Sequence, residues 1–423
     1  MTNEHHVDSD GSPGADVVPV GHRSTARTVA RAIALLLLAV IVGVGVFVER
    51  SQPPTPGSFY EPPKPLSDGP LGTIVKSEPI QGFPDWITGW KLLYRTTSYT
   101  GAPAVASAMV LVPRTPAPPG GRRVVAWAHP TTGVVPACAP SLQNGDSLTK
   151  VQGYNTFLSA GYAVVATDYQ GLGTPGPHPY LVGLSEGHNV LDSVRAARLQ
   201  PGVDAGSTFA VWGHSQGGQA SLFAGELAAT YAPELTLVGV AAAAPATELA
   251  SLFRRDIGTL GGDGLASMAV VSWTAIYPDL TMDQVIQPSK QSAVRRVANN
   301  CIETTGQLFE SLPDLLLLRD GYLAANPWDI EPWKTRLAEN TPGATKIGVP
   351  IFVTQGLADT LVWPEVTRTY VDGRCTAGET ITFRGYPGVT HTQIGVQSAS
   401  DVAAWINDRF DGKPADRTCP APT

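Results

Sequence analysis

The chain has 423 residues, of which 43% are hydrophobic and 15% charged, and its formal net charge is −7 at pH 7. These values describe a globular protein of one large or two smaller domains, and they exclude a disordered chain. The acidic balance and the lack of a basic stripe argue against nucleic acid as a partner. None of the four cysteines forms a Cys-x-x-Cys pair, so we expect neither a metal site nor another cofactor.

The N-terminal segment indicates where the protein works. Residues 1–22 predict a disordered polar tail, and residues 23–50 a signal or anchor segment. The core of that segment, Ala32–Val48, is uncharged and mainly aliphatic and follows three arginines. Its length is at the lower limit for a bilayer span, and the arginines should stay cytoplasmic, so the rest of the chain is exported. An uncleaved anchor is favoured slightly over a cleaved signal, and a buried soluble helix is the alternative.

The chain after this segment predicts a mixed α/β fold. The proline-rich residues 51–70 predict a semi-extended linker, and residues 71–423 one folded domain. Ile87–Tyr99 and Ala104–Pro113 predict an antiparallel pair of strands near its start. Strand and helix patterns alternate from there, which predicts a mainly parallel sheet covered by helices on both faces.

A glycine-flanked serine, Ser215, is the candidate nucleophile. The sequence Gly213-His-Ser-Gln-Gly217 lies between the strand-like run Thr208–Trp212 and the helix-like stretch Gly218–Leu227. This is the pattern of the nucleophile elbow of α/β-hydrolases, with the serine at the apex of a strained turn. The outer glycines are needed because a Cβ there would clash where strand and helix approach. The alternative is a glycine-rich turn with an idle serine, since the chain has 44 glycines.

An insertion predicted to be helical follows the elbow. Roughly 100 residues separate Pro245 from Ile347, which is far more than a crossover connection needs. Gln284–Asn300 and Thr304–Asp320 have helical spacing, and apolar residues recur throughout the interval. We expect residues 247–345 to form a helical cap that encloses an acyl chain and excludes water. A second structural domain that does not touch the site is the alternative.

Asp359 is the candidate acid. It follows the buried-strand pattern Pro350–Gly356, and functional groups of parallel sheets gather at the carboxyl ends of the strands. A helix N-cap is the alternative role for this aspartate. Asp372 and Glu365 are weaker candidates because neither follows an apolar strand directly.

His391 is the candidate base. In α/β-hydrolases the order along the chain is serine, acid, histidine, and His391 is the only one of the eight histidines that follows Ser215. The imidazole would take the proton of the serine hydroxyl during attack, and Asp359 would fix its tautomer. A loop histidine of no consequence is the alternative.

The oxyanion of the tetrahedral intermediate needs preorganised N–H donors. One should be the backbone N–H of Gln216, directly after the nucleophile. The other should come from the loop His129-Pro-Thr-Thr-Gly133, in which we favour Thr132 or Gly133. An ordinary Gly/Pro turn is the alternative for this loop.

With these parts placed, the chain resembles the secretory lipase family, which includes the fungal lipase A enzymes. The resemblance extends from about Leu71 to the C-terminus and rests on six motifs: Gly72–Ile80, Cys138–Ser141, Asp168–Gly173, Gly213–Gly218, Gly356–Asp359 and Val389–His391. It implies an α/β-hydrolase core with a helical lid between the sixth and seventh strands, and a triad of Ser215, Asp359 and His391.

The resemblance also implies the disulfides Cys138–Cys301 and Cys375–Cys419, of which the first would tie the lid to the oxyanion loop. Export makes disulfides plausible on its own. One departure concerns the oxyanion loop, where fungal members tend to carry an acidic residue and residues 129–135 have none.

The function expected from these observations is an exported carboxylic ester hydrolase that acts on acylglycerols or related acyl esters through an acyl-serine intermediate. Its partners would be an acyl ester or lipid substrate and a membrane, reached through the N-terminal segment or a lipid interface. An envelope acyltransferase with the same triad is the first alternative, and a peptidase is a weaker one. A non-catalytic binding protein that keeps a hydrolase-like shell is the alternative from another class.

Overall fold

The computed structural model describes residues 28–36, 54–66, 68–142 and 150–419. The chain divides into two compact units, Met1–Arg50 and Ser51–Thr423. In the first unit residues 28–36 form helix α1, whose side chains are exposed. Among the residues described, no helix combines the length and the apolar character needed to cross a bilayer. The predicted tail 1–22 and most of the predicted anchor Ala32–Val48 lie outside the described residues.

The second unit contains a nine-stranded sheet, counted over its described residues, in the order β1-β2-β3-β5-β4-β6-β7-β8-β9. The strands are β1 Ile74–Pro79, β2 Ile87–Thr97, β3 Pro103–Pro113, β4 Arg122–Ala128, β5 Ala163–Thr167, β6 Ala205–His214, β7 Thr236–Ala243, β8 Ile351–Gly356 and β9 Ile381–Tyr386. The pairs β1–β2, β2–β3 and β3–β5 are antiparallel. The remaining neighbours in the sheet, from β5 through β4, β6, β7 and β8 to β9, are all parallel. The predicted antiparallel start and mainly parallel sheet are confirmed.

Helices cover both faces of this sheet. Those of the second unit are α2 Tyr154–Ser159, α3 Gly183–Leu199, α4 Gln216–Tyr231, α5 Leu249–Asp256, α6 Leu260–Ile276, α7 Gln291–Ala298, α8 Thr305–Leu318, α9 Trp333–Glu339, α10 Pro364–Thr376, α11 His391–Gln397 and α12 Ala399–Phe410. Alternate residues of β4 show the two layers. Val125 and Trp127 belong to one apolar cluster with residues of α12, and Val124 and Ala126 to another with residues of α3. Near-continuous apolar strands are the pattern of a sheet buried on both sides.

The predicted insertion is helical. Helices α5 to α9 all lie between β7 and β8. The resemblance implies a lid between the sixth and seventh strands, whereas these helices lie between the seventh and eighth strands when the count starts at β1. Apolar side chains of α6 and α7, among them Met268, Trp273 and Val294, are buried in the cluster that also contains Trp127 of the sheet.

Residues 58–60 differ from the linker expected over residues 51–70. They form a short 3-10 helix in which Phe59 and Tyr60 are buried, packed against Leu93 and Val105 of the sheet. The hydroxyl of Tyr60 lies 2.8 Å from the Ser141 hydroxyl. Two aromatic side chains supply enough apolar surface to anchor a proline-rich stretch, which composition alone does not reveal.

Candidate active site

Ser215 occupies the sharp turn between β6 and α4. Its backbone angles are φ 58° and ψ −119°, a conformation that is strained for a residue with a side chain. Surrounding hydrogen bonds hold it there: its N–H donates to the Ala243 carbonyl at 2.9 Å, and its carbonyl accepts from the Gln219 N–H at 3.0 Å. The turn therefore has the geometry predicted for a nucleophile elbow.

The glycines on either side of Ser215 have no room for a side chain. A Cβ on Gly213 would lie 2.1 Å from the Gly217 carbonyl oxygen, and a Cβ on Gly217 would lie 1.9 Å from the Ala128 carbonyl oxygen. The first contact joins strand to helix and the second joins helix to the neighbouring strand β4. The predicted steric reason for both glycines is confirmed.

Ser215, His391 and Asp359 form a continuous hydrogen-bonded chain. The Ser215 Oγ lies 2.9 Å from His391 Nε2, and His391 Nδ1 lies 2.8 Å from Asp359 Oδ2. The three residues are separated by up to 176 positions in sequence and come from three loops at the carboxyl edge of the parallel strands. A nucleophile, a base and a group that orients the base are thus within hydrogen-bond reach of one another.

The carboxylate of Asp359 is buried, and both of its oxygens have partners. Oδ1 accepts the N–H groups of Leu361 and Val362, each at 2.9 Å, and Oδ2 accepts the Gln355 side-chain amide at 3.2 Å in addition to His391. The N-cap residue of the next helix is Trp363, so Asp359 is not a helix cap.

The two weaker acid candidates lie on the surface instead. Asp372 pairs with Arg368 at 3.0 Å, and Glu365 pairs with Arg255 at 2.9 Å. Both carboxylates are more than half exposed, and neither contacts His391.

The loop that carries Asp359 is joined to the loop that carries His391. The Ala358 N–H donates to the Val389 carbonyl at 3.0 Å, and the Leu357 N–H donates to the Tyr386 carbonyl at 2.9 Å. A Cβ on Gly356 would lie 2.4 Å from the Val389 oxygen, so the close approach requires glycine. These contacts hold the segments Gly356–Asp359 and Val389–His391 side by side.

A second imidazole, His214, packs beside His391, with the ring centroids 4.9 Å apart. Burial, together with the neighbouring His391, lowers the pKa of His214 to about 3. His214 therefore stays neutral when His391 gains a proton, which avoids a second positive charge beside the imidazolium. The sequence offered no signal for this role beyond its position inside the elbow.

The two oxyanion donors predicted in the loop after β4, Thr132 and Gly133, have different surroundings. Thr132 is buried and lines a cavity together with Ser215 and His391. Its Oγ1 has no hydrogen-bond partner among the described residues. Gly133 packs against the Cys138–Cys301 disulfide instead: its φ is 143°, and a Cβ there would lie 2.4 Å from Cys138 Sγ.

Both disulfides are present in the pairing that the resemblance implies. Cys138 bonds to Cys301 and Cys375 to Cys419, each with Cα atoms 5.4 Å apart. The first joins the loop after β4 to the segment after α7. Beside it, the Ile302 N–H donates to the Thr132 carbonyl at 2.9 Å, so a disulfide and a hydrogen bond both join the helical insertion to the loop after β4.

Gln216, the other predicted donor, is held by groups that the sequence did not single out. Its side-chain amide donates to Glu186 Oε1 at 2.7 Å and lies 3.2 Å from His178 Nε2. Glu186 also accepts the Leu181 N–H at 2.9 Å. Burial raises the pKa of Glu186 to about 8 and lowers that of His178 to about 3, so both side chains are neutral at pH 7. Glu186 lies in a helix-forming stretch, where a glutamate normally indicates an exposed position.

Two cavities meet at Ser215. The smaller has a volume of about 50 Å³ and is lined mainly by apolar residues of α5 and α6 and the loop after Asp359, among them Leu252, Phe253 and Leu265. The larger has a volume of about 530 Å³, and its walls include His391 and Thr132. Within the described ranges, no group of three or more His, Cys, Asp or Glu side chains is arranged to hold a metal ion.

Known proteins of one family are similar to this chain in sequence and in fold. The family model described as secretory lipase matches residues 149–417. A probable inactive lipase of Mycobacterium tuberculosis is 28% identical over 387 residues, covering 85% of this chain and 83% of its own length. Secreted triacylglycerol lipase LIP7 of Malassezia globosa is 29% identical over 398 residues, covering 86% and 81%.

The solved structures agree on the fold. Candida antarctica lipase A superposes with a TM-score of 0.73 at 22% identity, covering 88% of this chain and 90% of its own. The nine-stranded sheet with flanking helices is thus the α/β-hydrolase fold. Since the family model spans more than half of its residues, the chain belongs to the secretory lipase family and is a carboxylic ester hydrolase.

Proposed function

We propose that this enzyme hydrolyses carboxylic esters through an acyl-serine intermediate, with Ser215 as nucleophile, His391 as base and Asp359 as the acid that orients the base. The observation that carries the proposal is the hydrogen-bonded chain of the three side chains, with distances of 2.9 and 2.8 Å. A serine hydroxyl is a poor nucleophile near neutral pH unless an adjacent base accepts its proton, and this arrangement supplies that base.

The proposed reaction has two halves. Ser215 Oγ bonds to the ester carbonyl carbon while its proton passes to His391 Nε2. The tetrahedral intermediate then loses the alcohol, whose oxygen takes the proton back from His391, and the acyl group stays on Ser215. Water next gives a proton to His391 and attacks the acyl carbon, and Ser215 leaves with that proton as the carboxylic acid departs. Asp359 accepts the Nδ1–H bond throughout and stabilises the imidazolium.

The proposed oxyanion hole lies between Gln216 and the Thr132 loop. The backbone N–H of Gln216 is the first of helix α4, and helix N-termini carry free N–H groups and a partial positive charge. Thr132 lines the larger cavity at Ser215, and its hydroxyl has no hydrogen-bond partner among the described residues. Gly133 is the less favoured donor because its backbone is packed against the disulfide.

The helical insertion over residues 247–345 is proposed as the cap of the active site. Supporting this role, Leu252 and Phe253 of α5 and Leu265 of α6 line the small cavity beside Ser215. Apolar walls in this position would bind an acyl group and keep water away from the reacting carbonyl.

We also propose that the enzyme acts outside the cytoplasmic membrane, with residues 23–50 as signal or anchor. The family is described as secretory, and a relative is named a secreted triacylglycerol lipase, which makes acylglycerols or related acyl esters the first substrates to test. Two disulfides, with no free cysteine in the described chain, suit an oxidising compartment.

One relative favours a second function. Because the Mycobacterium tuberculosis protein is named a probable inactive lipase, a non-catalytic binding protein is the competing hypothesis. A fluorophosphonate probe distinguishes the two, since it labels a serine only when that serine is activated. We expect rapid labelling at Ser215 and none in His391→Ala; an unlabelled folded wild type would favour the binding protein.

The direct test of catalysis uses p-nitrophenyl esters with the wild type and Ser215→Ala. We expect kcat to fall by about 10³-fold or more in the variant, as when other triad members are removed. Ser221→Ala, one helical turn into α4, is the matched control, because that hydroxyl donates to the Gly217 carbonyl and does not contact His391. Equal rates in the wild type and Ser215→Ala would refute the proposal.

A further inference from the structure

The position of His391 assigns the two cavities at Ser215 to the two halves of an ester. In the proposed mechanism His391 returns its proton to the oxygen of the departing alcohol, so the alcohol must lie on the side of His391. His391 and the following Thr392 line the larger cavity. The smaller cavity is lined by Ser215 and Gln216, by the helical insertion, by the loop after Asp359 and by the segment before α3, and His391 is not among its lining residues. The larger cavity is therefore the alcohol side and the smaller one the acyl side.

The acyl side is short. Its volume is about 50 Å³, which is roughly a third of the 150 Å³ of an engineered apolar cavity that binds benzene. That space accommodates an acyl chain of about two to four carbons. Leu252, Phe253 and Ile257 close it on the side of α5. Leu252 is buried and Phe253 and Ile257 are partly buried against the apolar core, so a long acyl chain would need these side chains to be displaced, at a cost in binding.

The alcohol side is wide and carries charge. Its volume is about 530 Å³, and its walls combine the polar residues Lys150, Glu303 and Gln152 with apolar ones such as Trp127 and Ile302. Lys150 Nζ pairs with Glu303 at 2.7 Å, and the glutamate side chain is 6% exposed. An apolar alcohol would remove water from this ion pair without replacing its hydrogen bonds, which is unfavourable. An alcohol with several hydroxyl groups could donate to the carboxylate and accept from the ammonium.

We propose that the substrates are short-chain acyl esters of hydroxyl-rich alcohols, such as glycerol or a sugar, and not long-chain esters of apolar alcohols. This inference rests on the proposed serine-hydrolase function, from which the direction of proton return is taken. The acyl length is set by the wall of α5, and the alcohol preference is set by the Lys150–Glu303 pair.

The acyl side is tested with p-nitrophenyl acetate, butyrate, octanoate and palmitate, which share one leaving group. We expect kcat/KM to be highest for acetate or butyrate and to fall by at least about 10-fold at octanoate. Phe253→Ala should raise the octanoate-to-acetate ratio by on the order of 10-fold because it lengthens the cavity. Val396→Ala is the matched control, since Val396 lines the larger cavity, and its ratio should equal that of the wild type.

The alcohol side is tested with the monoacetates of glycerol, glucose and hexanol, which share one acyl group. We expect kcat/KM for the glycerol and glucose esters to exceed that for hexyl acetate by about 10-fold. Of the two polar esters, the one with the higher kcat/KM identifies the preferred alcohol. The double variant Lys150→Met, Glu303→Gln should abolish that discrimination. Lys413→Met with Asp408→Asn removes a surface pair of the same chemistry, 2.6 Å apart, and should leave it unchanged.

The failure of this inference differs from the failure of the proposed function. If the wild type hydrolyses palmitate best, or hexyl acetate as fast as the polar esters, while Ser215→Ala is inactive, the enzyme is a serine hydrolase with another substrate and the inference is wrong. If the wild type and Ser215→Ala have equal rates on every ester, the serine-hydrolase proposal fails and the inference fails with it.

Discussion

The tautomer of His391 depends on one oxygen atom of Asp359. Oδ1 of that carboxylate already accepts the N–H groups of Leu361 and Val362, so Oδ2 is the oxygen left for the imidazole. In Asp359→Asn the amide oxygen would take the Oδ1 position, because only an acceptor satisfies two N–H donors. The NH₂ group would then face His391 Nδ1 and move the ring proton to Nε2, where it blocks proton transfer from Ser215.

We therefore predict that Asp359→Asn lowers kcat for a short p-nitrophenyl ester by on the order of 10³- to 10⁴-fold, with little change in fold. Asp372→Asn is the control, since that aspartate lies on the surface in a pair with Arg368. Steady-state kinetics and far-UV circular dichroism check both variants. A loss of less than about 10-fold in Asp359→Asn would show that Asp359 does not orient the base.

Glu186 makes the stability of the folded protein depend on pH. Burial raises its pKa from 4.5 to about 8. Below pH 4.5 the carboxyl is protonated in both the folded and the unfolded chain, so its ionisation does not affect the free energy of unfolding. Between pH 4.5 and about 8 the unfolded chain ionises while the folded protein does not, and the free energy of unfolding falls as pH rises. The loss from this group is complete above about pH 8.

We predict that Glu186→Gln removes this dependence. Between pH 5 and pH 9 the free energy of unfolding of the variant should therefore rise by about 3–5 kcal/mol relative to that of the wild type. The glutamine keeps a carbonyl oxygen for the Leu181 N–H and the Gln216 amide. Urea unfolding at several pH values measures the effect, and Glu78→Gln, on the exposed edge strand β1, is the control. Parallel pH profiles for the wild type and Glu186→Gln would contradict the prediction.

At the scale of elements, the two disulfides have different surroundings. Cys138–Cys301 joins the loop after β4 to the helical insertion across 163 positions, whereas Cys375–Cys419 joins the end of α10 to the C-terminal segment across 44. Gly133 packs directly on Cys138, and Thr132 accepts the Ile302 N–H. The first disulfide thus holds a segment that borders Ser215, while the second holds one that does not.

We predict that Cys138→Ser with Cys301→Ser lowers kcat by at least about 10-fold, in addition to a loss of about 2–5 kcal/mol in stability. The pair Cys375→Ser with Cys419→Ser should lose stability by a similar amount and keep kcat within about twofold of the wild type, which makes it the matched control. Ester hydrolysis well below the unfolding temperature, together with thermal unfolding, separates the two effects. Equal loss of kcat in both double variants would count against a positioning role for the first disulfide.

At the scale of the whole molecule, the chemistry-bearing residues that could be predicted are those tied to strand ends. Ser215 and Asp359 each follow an apolar strand pattern, and His391 is the one histidine in the required order. Parallel strands bring such positions to one edge of the sheet, so sequence order indicates proximity. The distances between their side chains could not be predicted, because they depend on the backbone hydrogen bonds that join the segments carrying Asp359 and His391.

The groups that could not be predicted are buried by distant contacts. Glu186 and His178 have no local pattern that sets them apart from surface residues. Glu186 lies on α3 and His178 in the segment before it, and both are buried where they meet the Gln216 side chain of α4. Gly133 was a candidate oxyanion donor in the sequence, but its packing against the disulfide could not be predicted, since Cys138 is joined to Cys301, which lies 163 positions further along the chain. Tertiary burial, not local preference, decided these positions.

The proline-rich segment before the sheet is the last element whose role depends on the whole molecule. Phe59 and Tyr60 are 6% and 2% exposed, and the Lys76 ammonium donates to the Ser58 carbonyl at 2.7 Å. The hydroxyl of Tyr60 reaches Ser141, which itself donates through its N–H to the buried carboxylate of Asp168 at 2.9 Å. This segment therefore covers a buried polar network that links two of the family motifs.

We predict that a chain beginning at Leu71 is less stable than one beginning at Pro54 by about 3–6 kcal/mol, because it loses two buried aromatic side chains. Tyr60→Phe in the longer chain should cost about 1 kcal/mol, since it removes one hydrogen bond and keeps the ring. Thermal and urea unfolding measure all three proteins. If the chains beginning at Pro54 and Leu71 were equally stable, residues 58–60 would be a linker, and the buried contacts of Phe59 and Tyr60 would contribute nothing to folding.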